Sequence, residues 1–370
     1  MKVSNNKVMA VHGGEVFRLA VKYGVDIDNI IDFSANINPL GLPPGVDSAL
    51  HEALQNLANY PEIDAESLRL CVAKRHKLDI ENVIVGNGSS ALIYLLTRVL
   101  KPKKSLIWSP TFTEYERALK QAQSEVVNLN CFDPEKNISL DEIIAATLEK
   151  QPDLVFICNP NNPTGSLWSI MELEEILSAF KKAGIICILD EAFIDFVSVE
   201  ASFANRVEEF DNLIVLRSLT KIYALAGIRC GYLLSGHFLN QRLASWLEPW
   251  SVNTLALNAA VTALTNDAEF IKKTLVFIAE ERDNLSRKLG HLQFLKPYPS
   301  SANYILTRVD RSVNCEELRD FIFVRDKILI RLCGDYVGLS DNFVRFAVKN
   351  SAENCQLIEG LSAFQAQIDT

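Results

Sequence analysis

The sequence predicts an α/β fold: a large unit with a mostly parallel seven-stranded sheet between helices, plus a smaller α+β unit. Three observations predict it. Seven short apolar runs, at residues 83–85, 106–108, 126–129, 154–158, 185–189, 213–216 and 232–234, alternate with amphipathic stretches. Buried strands separated by helices pair in parallel, with both sheet faces covered. The 370 residues exceed one ordinary hydrophobic core. Beyond about residue 255 the alternation gives way to a different pattern.

In chain order, the first 45 residues are grouped with the C-terminal part. This sets the large unit at residues 46–255 and the small one at residues 1–45 and 256–370. After the first apolar run, Ala91, Leu92, Leu95, Leu96, Val99 and Leu100 share one helical face. Two later helices are expected to open on capping boxes, Thr113 with Glu116 and Ser169 with Glu172. A long helical stretch is expected from about 255 through Leu289. The runs YILTRV, ILIRLC and FVRFAV then read as strands, with helices around 315–325 and 352–366.

Composition narrows the function classes. An apolar fraction of 48% with 22% charged residues describes a packed globular chain. The net charge of −9, without a long basic run, argues against nucleic acid or an anionic membrane as partner. The opening MKVSNNKVMAVHGG lacks the apolar core of a signal peptide, and no apolar run reaches membrane-spanning length, so a cytoplasmic location is expected. Eight cysteines form no CxxC pair and read as reduced thiols, and five histidines show no ligand spacing, so no metal site is expected.

Four motifs fall where strands run into loops, the ligand-binding edge of an open parallel sheet. GNGSS, residues 86–90, can turn tightly and present helix-start amides to a phosphate, or can be a plain turn. NPNNPTG, residues 159–165, either fixes an asparagine in the cleft or is a turn-rich connection. In ILDEAFIDF, residues 188–196, Asp190 closes an apolar strand, where a buried carboxylate needs a cationic partner. A protonated pyridine nitrogen would serve; at about 4 Å and an effective dielectric near 20 the pair is worth roughly 4 kcal/mol. An ordinary ion pair with Arg or Lys is the alternative. In SLTKIYALAGIRCGY, residues 218–232, Lys221 at a strand-to-helix junction is easily desolvated and so becomes a usable amine nucleophile. Arg229 can return to the same pocket with Ser218 to grip a phosphate.

Together these motifs resemble fold type I pyridoxal-phosphate enzymes, in order and spacing, over essentially the whole chain. The resemblance implies that Lys221 carries pyridoxal 5'-phosphate as a Schiff base and that Asp190 pairs with its pyridine nitrogen. Asn162 would bond the ring hydroxyl and Phe112, in SPTFTEY, would stack on the ring. Ser218, Arg229 and the amides of Ser89 and Ser90 would hold the cofactor phosphate. Tyr60, in NYPE, is similar to a family tyrosine that reaches the phosphate across a dimer interface, which implies a homodimer with shared active sites. Arg345 is similar to the arginine that grips the substrate carboxylate.

Three features narrow the reaction. Aminotransferases of this group carry a tyrosine three residues after the pyridine-pairing aspartate; here it is Phe193, which weighs against simple transamination. His12-Gly13-Gly14 combined with DFSANINPLG, residues 32–41, closely resembles the L-threonine-O-3-phosphate decarboxylases of cobalamin biosynthesis, as do DEAFIDF, LRSLTK and PWSVN. The implied substrate carries two anions, and Arg331 and Arg345 can each hold one through paired hydrogen bonds. His12, Asn36 and Asn303 are candidates to complete the phosphate pocket, Asn162 also facing substrate, although His12 and Asn303 can equally serve local turns. The expected reaction is decarboxylation of threonine phosphate to (R)-1-aminopropan-2-yl phosphate, or of serine phosphate to ethanolamine phosphate. A histidinol-phosphate-type aminotransferase is the alternative, and a catalytically silent cofactor-binding domain the remote one.

Overall fold

The computed structural model describes residues 16–369; His12 lies outside them. In chain order the elements are α1 (Val16–Tyr23), β1 (Ile31–Asp32), α2 (Val46–Leu54), α3 (Glu66–His76), β2 (Val83–Gly86), α4 (Gly88–Leu100), β3 (Lys104–Ser109), α5 (Glu114–Gln121) and β4 (Glu125–Asn130). There follow α6 (Leu140–Lys150), β5 (Leu154–Cys158), α7 (Ile170–Lys182), β6 (Ile186–Asp190), β7 (Leu213–Ser218), α8 (Leu219–Ile222), β8 (Gly231–Ser235) and α9 (His237–Ala244). The C-terminal part contains α10 (Thr254–Thr265), α11 (Ala268–Gly290), β9 (Leu295–Pro297), β10 (Tyr304–Val309), α12 (Cys315–Asp326), β11 (Ile328–Leu329), β12 (Arg331–Leu332), β13 (Phe343–Ala347) and α13 (Ser351–Ile368).

The seven expected strands form one sheet in the order β2-β8-β7-β6-β5-β3-β4. From β7 through β4 every neighbouring pair is parallel, while β8 lies antiparallel between β2 and β7. Side chains alternate across this sheet, as a strand's period of two requires. Ile84, Ile107, Phe156, Ile188 and Leu216 pack with α4, α5 and α9 on one face. Val83, Val85, Leu106, Val155, Leu189 and Val215 face the other core, with α3, α6 and α7. Among the described residues, no helix is long and apolar enough to cross a membrane.

Three local expectations differ from the structure. The stretch 255–289 is two helices, because Asn266 leaves helical geometry and the buried Asp267 takes Arg75 at 2.6 Å and the Tyr223 hydroxyl. ILIRLC is divided at Ile330: β11 pairs in parallel with β1, and β12 pairs antiparallel with β13. Thr113 is not a side-chain cap; it is itself helical, at φ −68° and ψ −18°, and Glu116 pairs with Lys120 instead. Ser169 with Glu172 does form the expected capping box, and Ser139 with Glu142 forms another.

Candidate active site

The carboxyl ends of β5, β6 and β7 bring the second, third and fourth motifs to one edge. Asp190 ends β6 and is buried. Its Oδ2 accepts from the Tyr115 hydroxyl at 2.6 Å and its Oδ1 from the Ala192 amide at 2.9 Å. Burial pushes the Asp190 carboxyl above its ordinary range, while the Tyr115 hydrogen bond and the Lys221 charge pull it back. Both donors are neutral, so a cation on the remaining lone pairs would complete the carboxylate's surroundings.

Lys221 lies in the single turn α8, directly after β7. Its Nζ donates to Ser218 Oγ at 3.2 Å, and that hydroxyl shares a 2.7 Å bond with Thr220. Desolvation lowers the Lys221 amine to about 8; Asp190 opposes the shift, and Arg229 and Arg345 add to it. The turn is fastened from outside by Asn38, whose amide donates to the Lys221 carbonyl at 3.0 Å and whose Nδ2 donates to the Ile222 carbonyl at 2.8 Å.

The first motif makes the anion end. Gly88 opens α4 at φ +79°, and a Cβ there would lie 2.7 Å from Arg229 Nη2. A Cβ on Gly231 would lie 2.6 Å from the Ser89 amide nitrogen. Glycine at both places lets the Arg229 guanidinium and β8 close against the helix start. Ser89 is buried there and Ser90 half-buried. Free amides, the positive helix end and a guanidinium together suit a phosphate.

The asparagine end is as constrained. Asn162 Oδ1 accepts from Arg345 Nη1 and from the Tyr336 hydroxyl at 3.4 Å, which leaves its Nδ2 to donate to a ligand. Arg345 Nη2 donates to the Ser34 carbonyl at 2.7 Å, so both of these acceptors are neutral. Arg331 and Arg345 are directly opposite in the β12–β13 register and both buried. Arg331 also donates to Asp335 at 2.7 Å and borders a cavity of about 940 Å³ with Ser34. Asp335 balances the charge of Arg331, whereas the acceptors on Arg345 are neutral, so an anionic ligand beside this facing pair would balance Arg345.

The other expected residues are placed as follows. Phe112 is half-buried, with its ring edge-on to Tyr115 at 5.6 Å. Phe193 is edge-on to Tyr304 at 5.0 Å and its ring centroid lies 5.8 Å from Lys221 Nζ. Asn303 is fully buried and donates to the Asn36 carbonyl at 3.1 Å, tying the start of β10 to the N-terminal segment, while the side-chain oxygens of both residues are buried without a partner among the described residues. Tyr60 is 81% exposed and its ring contacts Trp250 at 4.8 Å rather than the cradle residues.

Sequence reasoning passed over Tyr115, Tyr336 and Arg217. Tyr115 is the last residue of SPTFTEY itself, three residues after Phe112, where the resemblance assigns a role only to Phe112. Arg217, beside Ser218, bonds Glu191 at 3.2 Å and Asp195, tying the ends of β6 and β7 together below the site. Tyr336 lies in a loop and carries no pattern.

The set fits pyridoxal 5'-phosphate: an anion cradle at Gly88, a desolvated amine, a buried carboxylate bonded by two neutral donors, and an amide donor at Asn162. Comparison with known proteins agrees. The model of the family described as aminotransferase class I and II matches residues 28–361. The chain is 36% identical to a threonine-phosphate decarboxylase of Salmonella typhimurium, over 95% of this chain and 96% of that one. It is similar to the solved L-threonine-O-3-phosphate decarboxylase from Porphyromonas gingivalis, with TM-score 0.81 and 27% identity over 90% of this chain and 99% of that one. A histidinol-phosphate aminotransferase from Clostridium acetobutylicum gives TM-score 0.83 and 31% identity, over 90% and 99%.

Proposed function

The chain belongs to the aminotransferase class I and II family, and on that premise we propose that it decarboxylates an L-amino acid O-phosphate, with L-threonine O-3-phosphate as substrate. Its cofactor is pyridoxal 5'-phosphate. When bound, that group supplies an electron sink for the pair left as the carboxylate departs as CO2.

The chain's own residues do the rest. Lys221, largely unprotonated above pH 8, would bond the cofactor aldehyde, and Ser218 orients its amine. Asp190 would hold the ring nitrogen protonated. Asn162 would donate to the ring hydroxyl, and Phe112 would cover the ring. Arg229, Ser218 and the amides of Ser89 and Ser90 would anchor the phosphate. Phe193 supplies no phenol where transaminating relatives of the resemblance carry one. Lys221 would return a proton to Cα after the carboxylate has left.

The observation that carries the substrate class is the facing pair Arg331 and Arg345. Two buried guanidiniums on one sheet face suit a molecule with two anionic ends, one carboxylate and one phosphate. His12, Asn36 and Asn303 would complete that pocket, the Asn303 amide also tying the start of β10 to the Asn36 carbonyl. Tyr60 would reach the phosphate of a second copy, making the active unit a cytoplasmic homodimer. The same reading divides each chain into residues 46–255 and residues 1–45 with 256–370.

The test is direct. Purified holoenzyme is incubated separately with threonine phosphate, serine phosphate and histidinol phosphate. CO2 with an amino alcohol phosphate, fastest from threonine phosphate, is the expected result. A keto product from histidinol phosphate without gas would favour the aminotransferase reading, which the likeness to the Clostridium acetobutylicum structure supports. Borohydride should fix the cofactor on Lys221, and Lys221→Ala should abolish that label.

A further inference from the structure

We propose that Tyr115 is a positioning residue for this chemistry: its hydroxyl keeps the Asp190 carboxylate ionised and aimed, and so sets how firmly the ring nitrogen of the bound cofactor holds its proton. This rests on the proposed cofactor site and adds to it a residue outside the motif set.

The geometry is specific. Tyr115 is fully buried in the first turn of α5, where its ring stacks on Phe156 at 4.6 Å and 11° and meets Phe112 edge-on at 82°. Clamped from two sides, its hydroxyl lies 2.6 Å from Asp190 Oδ2. A buried O–H to carboxylate bond of this length is a charge-assisted one. Asp190 is also faced by Cys158 from β5, its register partner, by Lys221 from α8, and through space by Tyr304 from β10. Tyr115 is the side chain that donates to it, beside the Ala192 amide.

A phenol is well suited to this position. Burial and the neighbouring Asp190 raise the Tyr115 hydroxyl well above 10, so it keeps its proton at every working pH and donates constantly. Being neutral, it stabilises the carboxylate without competing for it, as a second cation would. The segment 112–115 would thereby serve the cofactor ring twice, Phe112 by covering it and Tyr115 by acting through Asp190 on its nitrogen.

Tyr115→Phe in the full-length holoenzyme removes the oxygen and keeps the ring stack. Without the donor, the Asp190 carboxylate is more basic and takes the ring nitrogen's proton more readily, so the ring would draw less electron density from the lysine-bound carbon–nitrogen bond. The pH midpoint of the cofactor's visible absorbance should therefore move up. The rate constant kcat should fall about tenfold or more with KM within about twofold, the scale of one hydrogen bond to a charged group. Tyr232→Phe deletes an equally buried phenol, bonded to His76 at 2.8 Å, and should lower stability without moving the midpoint. Should Tyr115→Phe not fold, 3-fluorotyrosine at 115, a stronger donor, should move the midpoint down. A wild-type midpoint and kcat in the folded Tyr115→Phe protein, or in the fluorotyrosine protein, would overturn the proposal and leave the cofactor site standing. Absence of a visible band and of borohydride labelling in the wild type would instead sink the cofactor site itself.

Discussion

Lys221 shows how a single environment converts an ordinary side chain into a reagent. An amine with its ordinary value of 10.5 is mostly protonated at pH 8, whereas desolvation brings Lys221 to about 8. Because the shift is downward, the neutral nucleophile is present above that pH and lost below it, a gain of roughly 300-fold in reactive amine at neutral pH. The rate at which apoprotein captures pyridoxal phosphate should rise with pH to a midpoint near 8 and then level off; a midpoint near 10 would contradict the desolvation argument. Asp190 offers the complementary test. Asp190→Asn keeps the shape and removes the charge, and since such a pair is worth about 4 kcal/mol, kcat should drop by up to roughly a thousandfold while the cofactor stays bound.

Elements differ in how far their boundaries follow local chemistry. Ser169 and Glu172 bond each other's backbone amides reciprocally, and that geometry needs nothing from the rest of the molecule. Thr113 and Glu116 have the same spacing, but the Phe112 turn has already begun the helical path, so the threonine has no amide to serve. Ser169→Ala should therefore cost about 1 kcal/mol in urea unfolding, and Thr113→Ala less than about 0.5 kcal/mol. Equal losses would mean that the capping assignments are wrong. Gly88 marks the other extreme: its positive φ and its contact with Arg229 are both set by β8 closing across the sheet.

On the scale of the whole molecule, the site is assembled from segments far apart in the chain. Asn38 pins the Lys221 turn, Arg345 orients Asn162, and Arg217 joins the ends of β6 and β7. If Tyr60 completes a second copy's phosphate site, Lys221→Ala and Tyr60→Ala should complement each other. Half of a statistical mixture would be mixed dimers with one intact site each, so activity should recover to about a quarter of the wild type. No recovery on subunit exchange would show that each chain's site is self-sufficient.

The sequence by itself determined the seven strands, their mainly parallel pairing, and the placement of Lys221, Asp190, Asn162 and Gly88 at strand ends. These are properties of local periodicity and of which residues can turn a chain. It could not reveal that Tyr115 donates to Asp190, that Arg331 faces Arg345, or that Asn303 donates to the Asn36 carbonyl. The first and last of these join residues 75 and 267 positions apart, and the second lies across a divided strand. Each is decided by a different piece of packing: α5 against β6, β12 beside β13, and the N-terminal segment against the start of β10. Hydrogen-bond partners and charge neighbours are three-dimensional quantities, so only the tertiary structure sets the reactivity that the motifs make possible.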